Sequence, residues 1–191
     1  MHKSLSSTII SKPAIAIDLD DTLVHVTLLP PNNSKIKNYF SIVVKRRRFY
    51  VQTRPYLQYF LENLSKLYDI YIFTSSDKEY ANLIIDRILP NLKNNHRFYR
   101  DSCSSICGYY VKNLNLMRKS LQRTLLIDDS SGSSLKCPKN LVKINPWNGE
   151  ENDNILLNLL KLLQSIASEN DFRVSLPEAI KKCKFEGIST F

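Results

Sequence analysis

Twice in this chain a short, unbroken apolar run stops abruptly at acids. Ala14 to Ile17 leads into Asp18-Leu19-Asp20-Asp21-Thr22, and Leu125 to Ile127 leads into Asp128-Asp129. Each run is too short for a helix and too uniformly apolar for a strand with one wet face, so each reads as a strand buried on both sides. Ile70 to Phe73, closing on Thr74-Ser75-Ser76, and Leu141 to Ile144 belong to the same kind. Helical periodicity lies between them. Pro55 opens Tyr56 to Leu67, with Leu57, Phe60, Leu61 and Leu64 on one face; Asp77 to Leu89 stops before Pro90; Asp153 to Ala167 has a leucine-rich face. Strands alternating with helices predict an α/β protein with a parallel sheet covered on both sides. Arg97 to Arg100 and Tyr109 to Val111 read as short strands. Residues 26–53 hold a loop, Pro30 to Ser34, and a β-hairpin of Tyr39 to Val44 and Phe49 to Thr53 around the basic turn Lys45 to Arg48.

Composition removes several function classes. The chain has 191 residues, 43% hydrophobic and 24% charged, as in an ordinary globular domain. The 4 glycines are scattered, which excludes a GxGxxG or GxxxxGK[ST] phosphate loop. With 3 histidines and no HExxH, a histidine metal cluster is implausible. The 4 cysteines form no CxxC pair, and none is followed by arginine at Cys-x5-Arg spacing; they read as free thiols in a reducing compartment. Lys12 and Pro13 break the N-terminal apolar stretch, so neither a signal peptide nor a run of ~18 apolar residues for a membrane span is expected. A net charge of +9 favours anionic partners, or serves solubility alone.

Sites in parallel α/β sheets form at the carboxyl ends of strands. Here those ends carry Asp18 and Asp20, Thr74, and Asp128 and Asp129. Four carboxylates around one point require a cation, and an all-oxygen set without histidine or cysteine selects magnesium. A carboxylate beside magnesium stays ionised and can attack phosphorus, while a second acid two residues on protonates the leaving alkoxide and then activates water. A threonine hydroxyl and a lysine such as Lys112 would hold the phosphoryl group. Taken singly, each piece has a plainer explanation: Asp-x-Asp is common in turns, Thr74 to Ser76 can cap a helix, and Lys112 can be a solvated lysine. Their joint occurrence at successive strand ends carries the reading.

In that arrangement Asp18-Leu19-Asp20-Asp21-Thr22 resembles the DxDx[TV] signature of the haloacid dehalogenase superfamily. More narrowly, the chain from about Ile15 to Leu176 resembles the FCP/SCP group of small C-terminal-domain phosphatases. The matching pieces include Thr53-Arg54-Pro55, Ile72-Phe73-Thr74-Ser75-Ser76, Tyr99-Arg100-Asp101, Gly108 to Leu114, Leu126-Ile127-Asp128-Asp129, Trp147, Asp153 and Asp171 to Leu176. The resemblance implies a Rossmann-like fold with a small β insertion after the first strand. It implies Asp18 as nucleophile, Asp20 as general acid/base, and Thr74, Lys112 and Arg100 as phosphate ligands. Magnesium would be held by Asp18, the backbone carbonyl of Asp20, and Asp128 or Asp129. Leu28, Phe40 and Ile42 would form an apolar subsite in the substrate groove. Asp129 and Ser131 depart from the Asn and Pro usual in small members; the extra charge would tighten magnesium or repel phosphate.

The expected organisation is a flexible arm at 1–12, a phosphatase domain at 13–176 and a C-terminal tail at 177–191 with a short helix before it. The expected activity is magnesium-dependent hydrolysis of phosphoserine or phosphothreonine, with the phosphorylated RNA polymerase II C-terminal domain as leading substrate and the Lys45 to Arg48 turn steering it. The expected compartment is the nucleus, with the cytoplasm as alternative. Competing readings are a same-family phosphatase acting on a lipid-metabolism regulator, a small-metabolite phosphatase, and a catalytically silent scaffold on the same fold. No direct nucleic-acid contact is expected, because the basic residues lack interleaved aromatics.

Overall fold

The computed structural model describes residues 12–30 and 39–191. Among these, the main sheet has six strands. At its centre β1 (Ala14–Ile17) pairs in parallel with β5 (Asp69–Phe73) and β9 (Thr124–Asp128). Outward lie β10 (Leu141–Ile144) beside β9 and β6 (Arg97–Phe98) beside β5, both parallel. An antiparallel edge strand, β11 (Ile188–Ser189), closes the β10 side.

Alternation along the strands divides the core in two. Ile15, Ile17, Ile70, Ile72, Leu125 and Ile127 face a layer of α-helices: α1 (Leu57–Leu67), α2 (Lys78–Ile88), α3 (Ile155–Ile166) and α4 (Phe172–Cys183). Ala14, Ala16, Tyr71, Phe73, Leu126 and Leu141 face a thinner layer of short 3-10 turns carrying Leu114, Met117 and Cys137. Both faces are covered as expected, but by helices of two kinds. The alanines of β1 fit the thin side; its isoleucines fill the thick side, where full burial stabilises by about 1.5–3 kcal/mol each.

The insertion after β1 is a three-stranded antiparallel sheet, ordered β2-β4-β3, of β2 (Val24–Thr27), β3 (Tyr39–Val44) and β4 (Arg47–Thr53). The sequence predicts only the last two strands. β2 is four residues long, with a histidine and a threonine on its outer positions, and gives no periodic signal of its own. The basic turn is tighter than expected: Lys45 and Arg46 alone make it, both at positive φ. A second hairpin pairs β7 (Cys103–Ile106) with β8 (Tyr109–Lys112) around Cys107 and Gly108. Residues 177–191, expected as a tail, supply the end of α4 and the edge strand β11. The expected arm at 1–12 falls, apart from Lys12, outside the described residues, as do residues 31–34 of the Pro30 to Ser34 loop.

Candidate active site

The loop after β1 is built by its backbone. Asp18 N donates to Ile127 O of β9 (2.9 Å), so the first acid is still held by the sheet. The chain then folds back: Leu23 N reaches Leu19 O, Asp21 N reaches Val24 O, and Asp21 itself takes a positive φ of 55°. Two distant segments clamp this turn. Trp147 N donates to Asp21 O at 2.7 Å, and the buried Arg54 guanidinium donates to Thr22 O and Asn145 O while forking onto both oxygens of Asp153 (2.9 and 2.8 Å). Arg54, Trp147 and Asp153, recognised in the sequence only as matching pieces, therefore act here as supports of the acid loop.

Of the sequence candidates, Asp18, Lys112, Asp128 and Asp129 come together. Lys112, at the end of β8 and 2% exposed, places Nζ 2.5 Å from Asp18 Oδ1 and 2.5 Å from Asp128 Oδ2. Asp128 Oδ1 accepts from Ser130 N, and Asp129 Oδ1 from the Thr22 hydroxyl. Thr74 is buried at the end of β5, its hydroxyl oxygen accepting from Ser76 N. Arg100 Nε donates to Ser75 O (2.7 Å), its guanidinium pairs with Asp77 (3.2 Å), and it lies over the Tyr110 ring. Asp20 points its carboxylate at the first turn of α2 and the segment before it: Ser76 Oγ donates to one oxygen at 2.7 Å and the Tyr80 hydroxyl to the other at 2.5 Å. In the sequence Ser76 stands out only as part of the Thr74 to Ser76 run, and Tyr80 not at all; their role at Asp20 becomes visible only when the start of α2 faces the β1 loop.

The electrostatics follow from crowding acids in a dry place. Burial lifts the Asp18 carboxyl well above the ordinary range, opposed by Lys112 and reinforced by Asp128. Burial raises Asp20 too, opposed by the Tyr80 and Ser76 hydrogen bonds. Asp129 is raised by burial and by neighbouring Asp128. Burial alone would push the Lys112 ammonium down, but Asp128 and Asp18 outweigh it and hold lysine above its usual range. Asp18, Asp128 and Asp129 each offer an oxygen within 4.8 Å of the others. One ammonium cannot balance three carboxylates, and the donors are all hard oxygens, so the set fits a divalent cation. Both acids of the 128–129 pair belong to it. The Asp20 carboxylate does not; it is turned to Ser76 and Tyr80.

Two cavities open on this centre. A smaller one, about 320 Å³, is lined by Asp18, Lys112, Asp128 and Asp129. Asp20, Asp21 and Ser75 connect it to a larger cleft of about 840 Å³ walled by the insertion and the start of α2. The expected apolar groove needs correction here. Leu28 lines the cleft and is 65% exposed. Ile42 is 6% exposed and sits in the core, and Phe40 borders a different depression with Tyr56 and Tyr59 while packing under Arg87. The reason is strand geometry. Val44, Ile42 and Phe40 share one face of β3, about 7 Å apart per step, and β3 runs along α2. Only Val44 reaches the cleft. Its apolar wall is Val26, Leu28, Val44, Phe49 and Tyr80, with Phe49 and Tyr80 in edge contact.

Acids at the carboxyl ends of parallel strands, with a small β insertion after the first of them, place this α/β fold in the haloacid dehalogenase type. A profile of the NLI interacting factor-like phosphatases matches residues 13–173, and the chain belongs to that family. Among curated relatives it is 33% identical over 172 residues to "CTD small phosphatase-like protein 2" of Dictyostelium discoideum, covering 89% of this chain and 30% of the relative. It is 33% identical over 162 residues to human "Carboxy-terminal domain RNA polymerase II polypeptide A small phosphatase 2" (85% and 60% covered). It is 32% identical over 176 residues to the "CTD nuclear envelope phosphatase 1 homolog" of Drosophila melanogaster (87% and 72%). The chain spans 30%, 54% and 53% of the first three curated relatives. The fold is shared with solved Fcp1, described as an essential RNA polymerase II CTD phosphatase: TM-score 0.62, 23% identity, 92% of this chain and 55% of that one covered. No helix among the described residues is long and apolar enough to cross a membrane.

Proposed function

We propose that this chain is a magnesium-dependent protein serine/threonine phosphatase that works through an aspartyl-phosphate. The observation that carries the proposal is the setting of Asp18, a buried carboxylate bonded to Lys112, grouped with Asp128 and Asp129, and opening through Asp20 and Ser75 onto a peptide-sized cleft.

Asp18, Asp128 and Asp129, with the Asp20 carbonyl, would hold the magnesium, which supplies charge neutralisation that keeps these acids ionised and withdraws electron density from the phosphoryl group. Asp18 forms a bond to phosphorus as the serine or threonine oxygen leaves. Asp20 gives that oxygen its proton; an unprotonated alkoxide is a very poor leaving group. Lys112 and the Thr74 hydroxyl donate to the phosphoryl oxygens, and Arg100 borders the site from the cleft side. Asp20, now ionised, takes a proton from water as that water attacks phosphorus, releasing phosphate and restoring Asp18. Ser76 and Tyr80 fix the carboxylate that performs both transfers.

The phosphorylated RNA polymerase II C-terminal domain is the leading substrate, on the strength of relatives named for it and of an open cleft with an apolar wall. The nuclear-envelope relatives favour a second reading, another phosphoprotein such as a lipid-metabolism regulator. The nucleus or its envelope is the proposed compartment. A silent scaffold fits less well, because every position that the chemistry needs carries a competent side chain. The deciding experiment is phosphate release from a phosphopeptide array with magnesium, with EDTA and Asp18→Asn as controls. Release above both controls supports the proposal; equal release with Asp18→Asn removes it.

A further inference from the structure

We infer that Lys45 and Arg47 form a second anion subsite, which takes a further phosphate or carboxylate carried by the same substrate peptide; this rests on the phosphatase reading above. The tertiary structure splits the basic run Lys45-Arg46-Arg47-Arg48 into two groups. Arg47 lies on the same face of β4 as Phe49 and, with Lys45, lines the large cleft. Arg48 lies on the opposite face, where its guanidinium donates to Ser41 Oγ at 3.0 Å. Arg46 is at the tip of the turn and does not line the cleft.

Most other charges in the cleft are already engaged. Asp20 accepts from Ser76 and Tyr80, Asp21 pairs with His25 at 2.9 Å, and Asp77 pairs with Arg100. Glu79, in the first turn of α2, is the acid without such a partner among the described residues. Lys45 and Arg47 have no ion-pair partner there either. They leave an excess of positive charge on the insertion wall of a cleft whose floor leads to Asp18. The backbone agrees. A two-residue turn with both φ positive forms at least cost with Asn-Gly, yet here the φ values of 48° and 66° are borne by Lys45 and Arg46. Placing a long cation there is unfavourable locally, and it puts an ammonium at the rim of the cleft. An arginine fork beside an ammonium suits phosphate best and carboxylate next.

The test compares kcat/KM for three peptide sets: one phosphoserine alone, the same peptide with a second phosphoserine, and the same peptide with glutamate, the second group being walked along either side. The wild-type protein should prefer a doubly anionic peptide by about five- to tenfold at one favoured spacing in low salt. Lys45→Asn/Arg47→Gln should bring that ratio to about one, whereas Arg46→Asn/Arg48→Gln, which removes the same charge from the same turn, should keep it. Asparagine tolerates left-handed backbone, so both variants preserve the turn. Peptide affinity for the Asp18→Asn protein, by fluorescence anisotropy, should show the same ranking, which separates failure of the subsite from failure of the catalytic reading. A ratio near one at every spacing, equal losses in both double variants, or binding of anionic lipid vesicles without discrimination among the peptides would each overturn the subsite.

Discussion

The Tyr80 hydroxyl donates a 2.5 Å hydrogen bond to Asp20 Oδ1, tying the first turn of α2 to the loop that follows β1. Burial raises the Asp20 carboxyl, and this bond works against burial by favouring the ionised form. Burial and the Asp20 charge raise the Tyr80 hydroxyl well above the usual tyrosine range, so it stays a donor. Tyr80 thereby sets both where the acid points and how readily it gives up its proton.

Tyr80→Phe removes a donor to an ionised carboxylate and nothing else from the cleft wall. Losing a bond to the charged form raises the pKa of Asp20 further. Every limb of the pH–rate profile that Asp20 governs should move to higher pH, and kcat should fall about tenfold, the scale of one hydrogen bond to a charged group. Profiles of kcat for both proteins with one phosphopeptide check this. An unshifted profile with lower kcat would leave Tyr80 a packing residue only.

Asp18→Asn and Lys112→Met should separate chemistry from stability. Asn keeps the shape of Asp18 and relieves crowding with Asp128, so Tm should hold or rise while turnover falls by about three orders of magnitude or more. Met at 112 leaves Asp18 and Asp128 buried without their shared ammonium, and loss of one partner from such a cluster costs about 3–5 kcal/mol. Thermal melts beside phosphate-release assays distinguish the two. A Tm loss in Asp18→Asn as large as in Lys112→Met would contradict the charge balance described for the site.

Arg54 should be a stability residue that activity also feels. It is 1% exposed and satisfies Asp153, Thr22 O and Asn145 O. Arg54→Ala should destabilise by about 3–5 kcal/mol, with Tm falling by roughly 10 °C in a chain of this size. Arg54→Lys should recover little, because one ammonium cannot replace a fork. Denaturant melts supply the measurement; a near-neutral Arg54→Lys would show that the fork is dispensable.

Divalent cations should stabilise the fold as well as support turnover. Asp18, Asp128 and Asp129 have one lysine among them, so magnesium should raise Tm in proportion to RT ln(1 + [Mg]/Kd). EDTA should abolish phosphate release. Asp129→Asn should weaken the Tm response to magnesium while raising Tm in its absence, since it removes one of the crowded acids. A wild-type Tm indifferent to magnesium would argue that these acids hold no cation.

Strong local patterns made much of the framework legible in the sequence. Short apolar runs ending in Asp18, Thr74 and Asp128 placed three strand ends, and helical spacing placed α1, α2 and α3, because burial on both faces and a 3.6-residue period leave plain traces in residue order. β2, β7 and β11 left none: Val24–Thr27, Cys103–Ile106 and Ile188–Ser189 are two to four residues long and exist through pairing with distant strands. Residue order alone determined which acids, hydroxyls and lysine are available, and that successive strands end in them. Only the tertiary structure decided that Lys112 meets Asp18 across 94 positions, that Tyr80 and Ser76 hold Asp20, and that Val44 and Phe49 rather than Phe40 and Ile42 line the cleft. These depend on how β3 lies along α2 and where the β7–β8 hairpin ends, and packing between remote segments fixes both.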